Sequence, residues 1–297
     1  MTGLRRRARP TGGRWRLAIA LLVLAASLAA LASALPRARQ AWDDHRLDRS
    51  LRERLAQRMP ARGPTLPCRE AGAPAPLVLL VLGQSNAGNH GEPVAGGPQA
   101  VTVGPADGCQ RGADPLPGAT GRGSSPWPLL AQQLEAALGR PVRLSILAVD
   151  ATRVEDWTRA GSPLRSALAE QAALLHRLGL RPDLVLWQQG EADARQGTPP
   201  ALYLARLREL DAQLARLGVD APRLAARSTV CRSAPDAGLQ QALAQLQREA
   251  PRRWPAGPDT DARVPLAWRH DGCHWGRQAL APVASAWRDA VLAALAR

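Results

Sequence analysis

The sequence predicts an α/β fold, a three-layer α/β/α sandwich built on a mainly parallel sheet. Three observations carry this expectation. The run Leu77-Val-Leu-Leu-Val-Leu82 is apolar without alternation, as expected of a strand buried on both faces. Beyond it, helical and strand patterns alternate, which implies βαβ crossovers with helices on both faces of the sheet. Polar clusters follow several of these strands directly, where ligands sit in such sheets.

The chain starts elsewhere. Residues 1–16 carry Arg5, Arg6, Arg7, Arg9, Arg14 and Arg16, and residues 17–35 hold no charge. At about 1.5 Å per residue the uncharged stretch would span roughly 28 Å, close to a bilayer's hydrocarbon thickness. The expectation is a basic cytoplasmic N-terminus, a transmembrane signal anchor over 17–35, and export of the remainder. A signal peptide cleaved after Ala34 is the alternative. Residues 36–59 place Leu47, Leu51 and Leu55 at helical spacing, and residues 60–76 hold five prolines and two glycines. The stretch 36–76 therefore reads as a juxtamembrane stalk and linker, and 77–297 as the catalytic domain.

Within that domain, 91–125 reads as a long irregular Gly/Pro-rich loop. Helices are expected over 129–138, 163–178, 200–217, 239–249 and 277–296. Strands are expected over 142–149, 184–187 and 223–230.

The net charge of +14 does not argue for nucleic acid. Residues 1–66 hold an excess of +10 and residues 67–297 only +4. The basicity lies mainly where anionic lipid would meet it, and no concentrated phosphate-binding face remains. Cys68, Cys109, Cys231 and Cys273 are even in number and follow the apolar segment, which suggests two disulfides in an exported domain. Three connectivities are open. No Cys-x-x-Cys spacing supports zinc, and no metal site is expected.

The chemistry concentrates in three motifs. Gly83-Gln-Ser-Asn86 follows the first strand and contains one of the chain's two asparagines, the other being Asn89. Trp187-Gln-Gln-Gly-Glu-Ala-Asp193 follows another strand, and Asp271-Gly-Cys-His274 precedes the last helix. A serine hydroxyl needs a base, and His274 can act as one, oriented by Asp271 three residues earlier. Ser85 at a strand-to-helix turn would add its own N–H to those of a helix N-terminus facing developing negative charge. The Gly-x-Ser-x-Gly elbow is absent, because Ala87 follows Asn86.

This ordered set resembles the SGNH hydrolase superfamily, and more narrowly its sialate O-acetylesterase-like branch, related to carbohydrate esterase family six. The resemblance covers roughly residues 75–295. It implies a flavodoxin-like sheet and a serine esterase that removes O-acetyl groups from a carbohydrate without metal or organic cofactor. Ser85, His274 and Asp271 would be catalytic. Ser85, Gln189 and Ala151 would form the oxyanion hole, with Gln84, Asn86 and Glu191 in support. One departure stands out: Asp150-Ala151-Thr152 occupies the place where the family usually has Gly-Gly-Thr. A carbohydrate O-acetyltransferase and a glycan-binding pseudoenzyme are the alternatives. His270 rivals His274 by position, and His90 is placed to line the pocket. Trp127, Trp157, Trp187 and Trp275 flank the motifs, either as sugar-stacking faces or as core.

Overall fold

The computed structural model describes residues 12–104 and 108–297. It divides into two compact units, Met1–Ser50 and Leu51–Arg297. Helix α1 runs from Gly12 to Ala56 with Pro36 inside it. In the first unit, Arg46 lies 5.0 Å over the Trp42 ring. Most of the expected cytoplasmic segment 1–16 lies outside the described residues, as do many side chains of 17–35. Among the described residues no helix is long and apolar enough to cross a membrane. The transmembrane anchor expected over 17–35 thus has no support among the described residues.

The second unit is built on one seven-stranded sheet. Its strands are β1 (Leu77–Gly83), β2 (Ala100–Gly104), β3 (Gly108–Gly112), β4 (Val142–Ala148), β5 (Leu184–Gln188), β6 (Arg223–Arg227) and β7 (Ala256–Asp259). The order is β3-β2-β4-β1-β5-β6-β7. All pairings are parallel except β2 with β3. Without the β2–β3 hairpin, the remaining five strands follow the flavodoxin order, so the parallel α/β sheet expected from sequence is present.

The helices sandwich this sheet. Helix α2 (Trp127–Leu138) leads into β4, which is followed by α3 (Val154–Thr158) and α4 (Pro163–Arg177). After β5 come α5 (Glu191–Arg195) and α6 (Pro200–Arg216). After β6 come α7 (Ala237–Glu249) and, beyond β7, α8 (Thr260–Arg263) and α9 (Arg277–Leu295). Leu77, Leu79 and Val81 pack with Trp127, Leu130, Val283 and Trp287 into one core against α2 and α9. Val78, Leu80 and Leu82 are equally buried on the opposite face. Burial on both faces explains why β1 shows no alternation.

Three expectations change. The stretch 91–125 contains the hairpin β2–β3. Its second strand, Gly-Cys-Gln-Arg-Gly, has no apolar alternation and is held from outside, by the Leu66–Cys109 bridge and the Cys68–Cys109 disulfide. Strand β7, Ala-Gly-Pro-Asp, has no strand propensity and survives as a sheet edge, where proline is tolerated. Residues 51–76 pack on the domain: Leu51 and Met59 are buried, and the Met59 N–H donates to Ala119 O at 2.8 Å.

Loop closure by Cys68–Cys109, 41 residues apart, is expected to contribute about 4 kcal/mol on an entropy model. Cys68→Ser/Cys109→Ser should lower the urea midpoint and steepen the slope, because the unfolded chain loses a cross-link, and an unchanged midpoint would refute that contribution. A second test concerns Asp114, which accepts from the Ser125 N–H at 2.8 Å and its hydroxyl at 2.7 Å. Burial pushes its pKa up to about 6, partly offset by those two hydrogen bonds. The folded chain then binds this proton more tightly than the unfolded chain. Stability should fall as pH rises from about 4 to about 6, and Asp114→Asn should flatten that segment of a pH–stability curve.

Candidate active site

The site forms where β1 ends between β4 and β5, the point at which the sheet order reverses. Gly83 and Gly190 make the local geometry. Gly83 has φ +147°, and a Cβ there would lie 2.1 Å from Gln188 O. Gly190 has φ +149°, and a Cβ there would lie 2.4 Å from Ser228 O. Only glycine lets the strand-end loops pass this closely. Ser85–Ala87 then forms a single 3₁₀ turn. No long helix follows, so the expected macrodipole at Ser85 is absent.

Two tryptophans hold this turn. The Trp127 indole N–H donates to Ala87 O at 2.7 Å, and that of Trp275 to Asn86 O at 3.1 Å. Trp157 and Trp187 pack edge to face, with centroids 5.4 Å apart. All four rings are at most 1% exposed, so they are core and offer no sugar-stacking face.

The histidine arrives on a tight loop before α9. Arg269 and Trp275 form an antiparallel bridge, and the His270 N–H donates to His274 O at 3.0 Å. Inside the loop, Asp271 Oδ1 accepts from the N–H groups of Cys273 and His274 at 2.9 and 2.8 Å. Asp271 Oδ2 meets His274 Nδ1 at 2.8 Å. Burial works to raise the Asp271 pKa, but the His274 N–H, the His274 ring and the Cys273 N–H outweigh it and hold the carboxyl well below its usual range. The Cys231–Cys273 disulfide ties the loop to the segment after β6. The Arg269 guanidinium lies 4.6 Å over the Trp275 ring and donates to Cys273 O at 2.8 Å and Val230 O at 3.1 Å.

These elements enclose a cavity of about 150 Å³ lined by Ser85, Ala151, Glu191, Asp271 and His274, with Gln84 and His90 beside them. The structure thus brings Ser85, His274 and Asp271 to one cavity. Ser85 and His274 form no hydrogen bond with each other among the described residues, a spacing common in unliganded sites. His90 stacks near His274 with centroids 5.3 Å apart, and His270 at 6.0 Å. Burial lowers the His90 pKa, opposed by Asp150 and Asp271 and reinforced by His274 and His270. His270, Asp271 and His274 present ligand atoms within 4.8 Å of one another, a set that would take a metal only by drawing His274 from Asp271.

Gln189 is placed differently from expectation. It is fully buried and does not line the cavity. Its amide nitrogen is committed to Asp193 Oδ2 at 2.5 Å and Thr152 O at 3.0 Å. An amide so engaged has no N–H for an oxyanion. Asp193 also accepts from the Val154 N–H at 2.9 Å, so Gln189 and Asp193 together clamp the 152–154 segment. Burial raises the Asp193 pKa, opposed by those same donors. The clamp holds Ala151 at the cavity with φ +53°.

The supporting residues form a second network. Asn86 Nδ2 donates to Glu191 Oε1 at 2.6 Å and to Cys273 O at 3.2 Å. The Ser228 hydroxyl donates to the same Glu191 oxygen at 2.7 Å. Gln84 Oε1 accepts from the Ala192 N–H at 3.0 Å. Burial raises the Glu191 pKa against the donors Asn86 and Ser228. Ser228 and Arg269 were not singled out in the sequence, since neither sits in a recognisable motif.

Neither a family model nor a curated protein matches the chain. Among solved structures, a protein from Arabidopsis thaliana is similar over 74% of this chain and 99% of its own, at 16% identity and a TM-score of 0.63. A carbohydrate acetylesterase from Xanthomonas citri is similar at 18% identity and a TM-score of 0.49, over 72% of this chain and 55% of its own. Another, from Sinorhizobium meliloti, is similar at 16% identity and a TM-score of 0.47, over 73% of this chain and 98% of its own. At such identities the likeness to the Arabidopsis protein is one of fold, and it places the second unit among α/β proteins with a mostly parallel sheet.

Gly83→Ala tests the strand-end geometry. The added Cβ would drive β1 from β5, so a fall in thermal midpoint is expected together with loss of any Ser85-dependent turnover. A variant with wild-type midpoint and turnover would refute the close-approach argument.

Proposed function

We propose that this chain is a serine ester hydrolase that removes O-acetyl groups from a carbohydrate. The observation that supports this best is Asp271 Oδ2 at 2.8 Å from His274 Nδ1, on the wall of the cavity that also holds Ser85. A carboxylate fixed by two backbone N–H groups orients the ring so that Nε2 is left for the serine. The carbohydrate follows from the motif resemblance, and the location outside the cytoplasm from the two disulfides.

In this reading His274 Nε2 takes the Ser85 hydroxyl proton as Oγ bonds to the acetyl carbonyl carbon. The carbonyl electrons move to oxygen, and the N–H groups of Ser85 and Ala151 stabilise that oxyanion. The Ser85 and Ala151 N–H groups make no hydrogen bond among the described residues, which leaves them for this purpose. Collapse breaks the bond to the sugar oxygen, which takes the proton from His274. Water then attacks the acetyl-serine, His274 again accepts and returns the proton, and acetate departs. Gln189 acts here as the clamp that presents Ala151.

Acetate release from p-nitrophenyl acetate and from O-acetylated xylan or sialic acid tests this proposal. Ser85→Ala and His274→Ala should each lower kcat at least a thousand-fold, with Asp271→Asn between them and wild type. Turnover that persists in Ser85→Ala would refute the nucleophile. A product that appears only with an added sugar acceptor would mark a transferase.

A further inference from the structure

A second and larger cavity, about 750 Å³, adjoins the first and shares His90 and Asp150 with it. One wall is the segment 56–62 ahead of β1, and the other is the 115–122 loop. Both walls are fixed. The Met59 N–H donates to Ala119 O at 2.8 Å and the Gly118 N–H to Met59 O at 3.0 Å. The 115–122 loop is held in turn by the Ala119–Ala148 and Asn89–Gly121 bridges. A preformed cavity of this volume holds a ligand larger than an acetylated monosaccharide.

Its charge is one-sided. Arg58, Arg62 and Arg122 line it, against the single carboxylate of Asp150 at the seam with the Ser85 cavity. Arg58 is half-buried, with its Nε donating to Leu55 O at 2.9 Å. Arg62 and Arg122 are exposed and make no ion pair among the described residues. Guanidinium groups in a fixed cleft favour a carboxylate, which they can hold by two parallel hydrogen bonds. Asp150 favours the opposite, hydroxyl donors, next to Ser85.

We infer that the outer cavity binds a carboxylate-bearing sugar adjacent to the acetylated one, so that the substrate is an acidic oligosaccharide. The acetylated ring sits at Ser85, its hydroxyls facing Asp150, while a neighbouring uronate lies between Arg62 and Arg122. This placement rests on the esterase reading, yet the subsite itself can be tested without catalysis.

Two measurements on the full chain separate the two. Binding of an unacetylated galacturonate oligomer by calorimetry reads the subsite alone. Arg62→Gln/Arg122→Gln should weaken it about tenfold or more, as should raised salt. Methyl esterification of the same oligomer, which removes its charge, should weaken it comparably. Equal binding of the charged and methylated oligomers, or no effect of the double variant with folding confirmed by circular dichroism, would overturn the inference. Hydrolysis of p-nitrophenyl acetate reads only the chemistry at Ser85, and the double variant should leave it unchanged. Its absence in wild type would count against the esterase while the binding result still decides the subsite.

Discussion

The buried carboxylate of Glu191 is the contact on which the site's geometry depends. One of its oxygens receives Asn86 at 2.6 Å and Ser228 at 2.7 Å. The Asn86 amide reaches on to Cys273 O, and Gln188 donates to the Ser228 hydroxyl at 2.6 Å. Loops that follow β1, β5 and β6, and the histidine loop, thus meet at a group with no exposure to water. A buried polar atom left without its partner costs about 1–3 kcal/mol, and more when charged. Each loop is therefore held in place by the others' hydrogen bonds. The serine turn is tied to this acid through Asn86, and the same amide ties it to the histidine loop at Cys273 O.

This network accounts for a feature of the sequence. Asparagine persists at two positions in a chain otherwise drawn to Arg, Ala, Leu, Pro and Gly, and both are struts. Asn86 spans Glu191 and Cys273 O. Asn89 donates to Leu116 O at 2.8 Å and accepts from the Leu116 N–H at 2.9 Å. Asn86 gives twice and Asn89 both gives and accepts, neither of which an ionised aspartate can do. The motif around Ser85 was legible because its asparagines serve as connectors between loops.

Legibility follows how local the cause of each element is. Strand β1 and helices α4, α6 and α9 declare themselves through apolar runs and 3.6-residue spacing. The hairpin β2–β3 and strand β7 do not, because a disulfide, an edge position and neighbouring backbone hold them rather than their own side chains. In the site, Asp271 and His274 were readable since three residues of one loop set their contact. The orientation of Gln189 was not readable, because its partners Asp193 and Thr152 decide it and the sequence gives no angle. The span expected at 17–35 rested on composition alone.

Ala151 holds a left-handed backbone conformation without being glycine. A residue with φ +53° favours glycine, and alanine there costs about 1–2 kcal/mol. The neighbours hold the segment against that cost. The Thr152 hydroxyl donates to Val149 O at 2.8 Å and the Trp157 indole N–H to the Thr152 hydroxyl at 3.2 Å. Gln189 holds Thr152 O and Asp193 holds the Val154 N–H. With the residue after it fixed by three hydrogen bonds, position 151 keeps its conformation whether or not it carries a Cβ. In that conformation Ala151 lines the cavity that holds Ser85. Beside it, Asp150 places a carboxylate at the seam between the two cavities. The alanine thus keeps its backbone conformation, and its neighbour Asp150 sets the charge of the surface beside the serine.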